Sequence, residues 1–341
     1  MNKIEVKKSS FTITFENEKI SDNSIELYCA QEKKDFSLSN KEGNIFLNVE
    51  FIDFNIYEDV TLVIGEKKII LNSIFKNYKL SIDKLRDEKY MTNSIVNASS
   101  RGFNNDEIFF VAYNALNIID KSNHFFGAMV TLLSYRILEN PNERSWLIGR
   151  LLKEKVEFDK AEVALTPNRS RWIISSTAVL SMLLLLSNKV NNAENILSDV
   201  LKSSLYTLNQ LSFWNYCLCL FLSALIKTKR NEHYDAGWEY LKVFDFSRKS
   251  LSDLYHPRND WILGQMSDCR ALLDLGELGL KCAHKSLGDI PAESRISNIK
   301  FSGTICFNPI FERSRNARNK INEIFFSEVE KILNSRKACA Q

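Results

Sequence analysis

The sequence predicts an α+β chain: a small antiparallel β-sandwich over residues 1–83, a linker over 84–105, and an α-helical hairpin-repeat domain over 106–341. Three observations predict this. Through the first eighty residues, apolar and polar side chains alternate; successive strand residues point to opposite faces, so alternation marks half-buried strands. A polar stretch containing Asn97-Ala98-Ser99-Ser100-Arg101-Gly102 follows. Beyond it, apolar residues recur every three to four positions, as on helices with one buried stripe.

The strands can be placed individually. In Phe11-Thr12-Ile13-Thr14-Phe15 the odd positions are apolar, and Ile25, Leu27 and Cys29 share one face of the next run. Ile45, Leu47, Val49 and Phe51 repeat the pattern with Asn48 and Glu50 opposite. Thr61 to Leu71 reads as a hairpin around Gly65, which can take the positive φ that a type II′ turn needs at its first central position. Several short strands divided by turn residues, such as Asn40 to Asn44, suggest an antiparallel sandwich.

Helical signals begin after the linker. Asn104 and Glu107 have the spacing of an N-cap and its reciprocal partner. Ile108, Val111, Ala112, Ala115, Leu116 and Ile119 then form one stripe. Helices are expected near 106–120, 124–139, 143–154, 157–165, 168–187, 191–205, 209–229, 233–251, 258–273 and 276–287. Breaks are expected at Asn140-Pro141, Thr166-Pro167 and His256-Pro257, because proline disfavours helix in the residue before it. Residues 288–311 read as a non-helical stretch. A terminal helix follows, with the stripe Ile321, Ile324, Phe325, Val329, Ile332 and Leu333.

Paired helices joined by short polar turns recur. Ser181 to Leu201 turns at Ser187 to Asn191 and carries Ala193 in its second helix. Leu222 to Phe244 has the same form with Ala236, and Leu272 to Ala283 is read as a third instance. A small Ala at a tight helix crossing among Leu-rich neighbours resembles tetratricopeptide repeats over residues 124–287. Ala161, Ala193, Ala236 and Ala283 stand 32, 43 and 47 positions apart, whereas that family repeats about every 34 residues. The family's Trp, Gly and Pro signature positions are mostly absent. The resemblance implies stacked helical hairpins, a TPR-like α-solenoid with a groove for a partner protein; other solenoid types fit the same pattern.

Composition excludes some classes. With 45% hydrophobic and 26% charged residues, the chain can build a substantial core. A net charge of +3 lacks the strongly basic character of dedicated nucleic-acid binders. The first ten residues have no apolar signal-peptide core. The seven cysteines, odd in number and scattered, read as reduced thiols, so a cytoplasmic location is expected. The apolar runs Trp172–Leu186 and Phe213–Ile226 fall short of the roughly 20 residues that span a bilayer, so no transmembrane segment is expected.

No phosphate-binding glycine loop, nucleophile elbow or His-Glu-x-x-His pattern is present, and neither a cofactor nor a metal is implied. Cys217 and Cys219 diverge by about 200° on a helix, which suits no zinc site. The polar constellation to follow is basic: Arg144, Arg150, Lys153 and Lys155; Arg169 and Arg171; and Arg313, Arg315, Arg318 and Lys320 at the start of the terminal helix. Arginines at a helix N-terminus oppose the helix dipole, so an anionic phosphate, sugar or protein group would compensate them. The bland alternative is a solvated face with Glu312 and Glu323 as local partners. Aromatic residues crowd 213–261, and Trp238 and Trp261 are candidate partner contacts beside Arg313, Arg315 and Arg318.

Two functions are carried forward. One is a protein-interaction or scaffold protein acting through a helical-repeat groove. The other is an enzyme or accessory subunit binding an anionic substrate. The Asn-, Ile- and Lys-rich composition resembles products of bacterial surface-polysaccharide clusters.

Overall fold

The computed structural model describes residues 3–6, 10–16, 24–51, 54–83, 105–139, 144–208, 212–254, 266–287 and 315–334. The chain divides into two compact units, Met1–Asp120 and Lys121–Gln341. Both classes of secondary structure are present, so the fold is α+β.

The first unit holds two four-stranded antiparallel sheets. One has β1 (Lys3–Val6), β2 (Ser10–Glu16), β6 (Asn44–Glu50) and β5 (Ser37–Lys41) side by side in that order. The other runs β4 (Glu32–Lys33), β3 (Ile25–Cys29), β7 (Val60–Ile64), β8 (Lys67–Ile70). The register follows the alternation. Phe11 lies opposite Val49 and Ile13 opposite Leu47, and all four are buried. Ile25, Leu27 and Cys29 of β3 are buried beside Val60 and Leu62 of β7. A two-residue loop joins β7 to β8, with Gly65 at a φ of 57° and Glu66 outside the positive-φ set, as a type II′ turn requires. The β3–β4 turn places Ala30 and Gln31 at φ of 53° and 70°, a left-handed geometry that residues with a Cβ adopt at a cost.

Two α-helices complete the described part of this unit. α1 (Lys76–Asp83) and α2 (Asn105–Ala115) pack together, so α2, expected within the helical domain, belongs to the first unit. Phe110 of α2 meets the Phe51 ring at 5.0 Å and the Tyr78 ring at 5.1 Å. Phe51 also meets Phe75 at 5.3 Å. Asn114 is fully buried: its Oδ1 accepts from the Ile56 N–H at 3.0 Å, and its Nδ2 donates to the Phe110 carbonyl at 3.0 Å. That one side chain ties the loop before β7 to the helix. The expected linker, apart from Asn105 at the start of α2, and the cap Asn104 lie outside the described residues.

The second unit is helical: α3 (His124–Glu139), α4 (Ser145–Lys160), α5 (Pro167–Leu186), α6 (Val190–Lys202), α7 (Phe213–Lys229), α8 (His233–Leu254), α9 (Met266–Leu287) and α10 (Arg315–Asn334). Pro167 opens α5, whose N-cap Thr166 accepts from the Arg169 N–H at 3.2 Å, the arrangement expected for proline in a first helical turn. α3 packs on α5, α5 on α7, and α8 on both α7 and α9. α10 reaches α3, α5 and α7, with Phe325, Val329, Ile332 and Leu333 buried.

Two hairpins share one turn. Between α5 and α6, Asn188 is left-handed and the Lys189 N–H bonds to the Leu184 carbonyl at 2.8 Å. Between α7 and α8, Asn231 is left-handed and the Glu232 N–H bonds to the Lys227 carbonyl at 2.9 Å. This is the Schellman closure of a helix C-terminus. Ala193 and Ala236, each fully buried, follow at matching places.

Two expected breaks are absent. Residues 143–154 and 157–165 were separate helices on the sequence pattern, but α4 runs unbroken through 145–160, carried by the buried stripe Leu147, Leu151, Lys155 and Phe158. The third hairpin expected at 272–283 lies within the continuous α9. Its glycines serve packing. A Cβ on Gly276 would collide with the Ser247 hydroxyl, and one on Gly279 would come within 2.9 Å of the Tyr240 carbonyl oxygen. Bare glycine lets α9 press against α8.

α5 matches the helix expected over 168–187 to within one residue at each end. By length and composition it is the one described helix able to cross a bilayer, and 83% of its most apolar window is buried inside the protein.

Candidate functional site

The second unit carries a cleft of about 390 Å³ between α6, α7 and α8. Leu197 and Leu201 of α6, with Leu220 and Ile226 of α7, line it with aliphatic surface. Polar groups share the walls: Ser198 from α6, Ser223 and Tyr216 from α7. Burial pushes the Tyr216 hydroxyl up to about 12, so it stays protonated at neutral pH. Near the Tyr216 end, the Tyr206, Tyr216 and Phe246 rings cluster with centroids 4.4 to 5.4 Å apart.

Charged groups complete the lining. Glu239 of α8 is held by Lys242 at 2.7 Å and Lys227 at 3.6 Å. Glu194 of α6 pairs with Arg230 at 2.6 Å, and Arg230 also donates to Asn191 at 2.8 Å. Lys202 lies at the C-terminal end of α6 and lines the cleft as well.

The expected basic constellation is distributed differently. Arg169 is 2% exposed. Its guanidinium donates to the Ser122 carbonyl at 2.8 Å, to the Lys121 carbonyl at 3.4 Å and to the Phe158 carbonyl, and it lies 4.5 Å from the Phe158 ring centroid. Its donors are directed to the protein's own backbone. Lys155 is fully buried and paired with Asp159. Burial pushes the Asp159 carboxyl up, opposed by the Lys155 and Arg169 charges. Arg150 stands 3.7 Å from Glu154, and Lys121 bridges Glu154 at 3.2 Å and Glu157. Arg171 lies 5.2 Å from the Trp172 ring centroid.

Of the remaining candidates, Trp238 is 51% exposed and meets Tyr234, 68% exposed, edge to face at 6.2 Å. It is not among the cleft-lining residues. Trp261 and Arg313 lie outside the described residues. Arg315 and Arg318 fall in the first turns of α10, where the backbone is described and the side chains are not.

Sequence reasoning missed the cleft. A signal existed in α6, where Glu194, Ser198 and Lys202 are spaced by four beside Leu197 and Leu201, a polar stripe flanking an apolar one. Lys227 and Glu239 become neighbours only once the α7–α8 turn sets their register. Among the described residues, no group of three or more His, Cys, Asp or Glu is placed to hold a metal ion. Compared with protein families, curated proteins and solved structures, the chain matches none.

Proposed function

We propose that the second unit is an interaction module, a tetratricopeptide-like array of helical hairpins, that docks a segment of another protein in the cleft between α6, α7 and α8. The observation that carries this reading is the cleft: aliphatic surface from two helices, bordered by paired charges and hydroxyls. Such a groove suits a segment that buries apolar side chains and leaves its polar groups at the rim. The shared turns at Asn188 and Asn231 support a repeating unit, although their spacing of 43 positions exceeds the family's usual unit of about 34. A cytoplasmic location fits the buried thiols of Cys29, Cys217, Cys219 and Cys282, none of which forms a disulfide.

A peptide-display selection against the full chain tests the reading. Selected peptides should bind the wild type, lose binding to Ser223→Trp, which fills the cleft, and keep it with Trp238→Ala, which lies outside. A selection without binders, or binders indifferent to Ser223→Trp in a variant of unchanged Tm, would overturn it.

A further inference from the structure

We infer that the segment held in the cleft is acidic and apolar, with carboxylates flanking aliphatic or aromatic anchors; this rests on the docking reading above. The charge balance of the lining carries the inference. Three ammonium groups, those of Lys202, Lys227 and Lys242, share the cleft with two carboxylates, those of Glu194 and Glu239. Both carboxylates are already engaged, Glu194 by Arg230 and Glu239 by two lysines at once. Lys202 forms no ion pair among the described residues. Within the lining, three cations face two anions, a surplus of one.

Glu239 does more than neutralise. Its Oε1 lies within 4 Å of both the Lys227 and Lys242 ammonium groups, which holds two like charges together at one wall. An incoming carboxylate meets that pair already assembled, with the repulsion between the lysines partly offset. A basic segment meets the surplus of like charge, and an uncharged one gains only the aliphatic surface. These rim groups are partly exposed, so their contribution should be read in salt dependence and discrimination more than in raw affinity.

The composition of the selected peptides tests this, followed by fluorescence anisotropy of the best binders on the full chain. The expected result is enrichment of Asp and Glu beside Leu, Ile or Phe. Binding should weaken with added salt, and about tenfold (about 1.4 kcal/mol) in Lys202→Glu/Lys242→Glu. The same double variant should gain affinity for peptides with Lys in place of the acids. Basic or uncharged binders that are lost in Ser223→Trp would overturn the charge inference and leave the docking reading standing. Acidic binders that persist in Ser223→Trp would overturn both.

Discussion

Replacing Arg169 with alanine should destabilise the second unit by about 3–5 kcal/mol, on the scale of removing one member of a buried, hydrogen-bonded charge network. Arg169→Ala removes charge-assisted bonds to the Ser122 and Phe158 carbonyls, each worth roughly 1.5–3 kcal/mol, and the longer contact to Lys121. It also takes away a positive neighbour of the buried Asp159 carboxyl. A small gain in helix propensity offsets part of the loss. The N-cap bond from the residue 169 N–H to Thr166 needs no side chain there, so α5 keeps its start. Arg169→Lys keeps the charge, but an ammonium cannot fork to carbonyls on two sides, so it should recover about half of the difference. Urea unfolding of the full chain, followed by far-ultraviolet circular dichroism, measures the shift in midpoint at constant slope. A loss below about 1 kcal/mol would refute the clamp. So would stabilisation of the wild type by phosphate that disappears in Arg169→Ala, because the guanidinium would then serve an anion and not the backbone.

Three further outcomes are expected. Asn114→Leu should cost about 1–3 kcal/mol, because the buried Ile56 N–H loses its acceptor; thermal unfolding that leaves Tm unchanged would count against the link. Ala30→Asn/Gln31→Gly should raise the stability of the first unit by roughly 1 kcal/mol by relieving two left-handed residues, and an equal or lower Tm would contradict the turn assignment. Burial pushes the Cys219 and Cys282 thiols up to about 12 and the Cys217 thiol higher still. Because these folded-state values lie above the usual thiol value of 9.0, the protein holds those protons where the unfolded chain has released them. Stability is therefore complete below about pH 9 and falls as pH rises towards 12. Native alkylation at pH 8, mapped by mass spectrometry, should spare the same three residues; rapid labelling would contradict their burial.

Much of the fold was legible because local chemistry and tertiary packing agree. Phe11, Ile13 and Phe15 alternate because one face of β2 is buried, and Gly65 marks the β7–β8 turn because a type II′ turn favours glycine at its first central position. Thr166-Pro167 announces the start of α5 through a missing N–H and a capping hydroxyl. The reading failed where one residue type serves two physical ends. Gly276 and Gly279 look like turn residues, yet their missing side chains let α9 approach α8. Arg169 looks like a surface cation, and only the carbonyls of Lys121, Ser122 and Phe158, brought together from two separate chain segments, take it inside. The cleft was hidden for a related reason: its walls come from helices whose mutual register no local pattern encodes.

The placement of α10 bears on how the second unit is made. In an open solenoid each repeat is covered by its neighbour, so stability accumulates unit by unit. Here Phe325, Val329, Ile332 and Leu333 belong to a helix that reaches α3, α5 and α7, and the first of these is synthesised almost two hundred residues earlier. During translation the apolar surface awaiting α10 stays uncovered until that helix leaves the ribosome. Contacts of such sequence separation slow folding and lengthen exposure to aggregation, so nascent chains of this protein should depend on chaperones more heavily than an array of the same size without such a late covering helix.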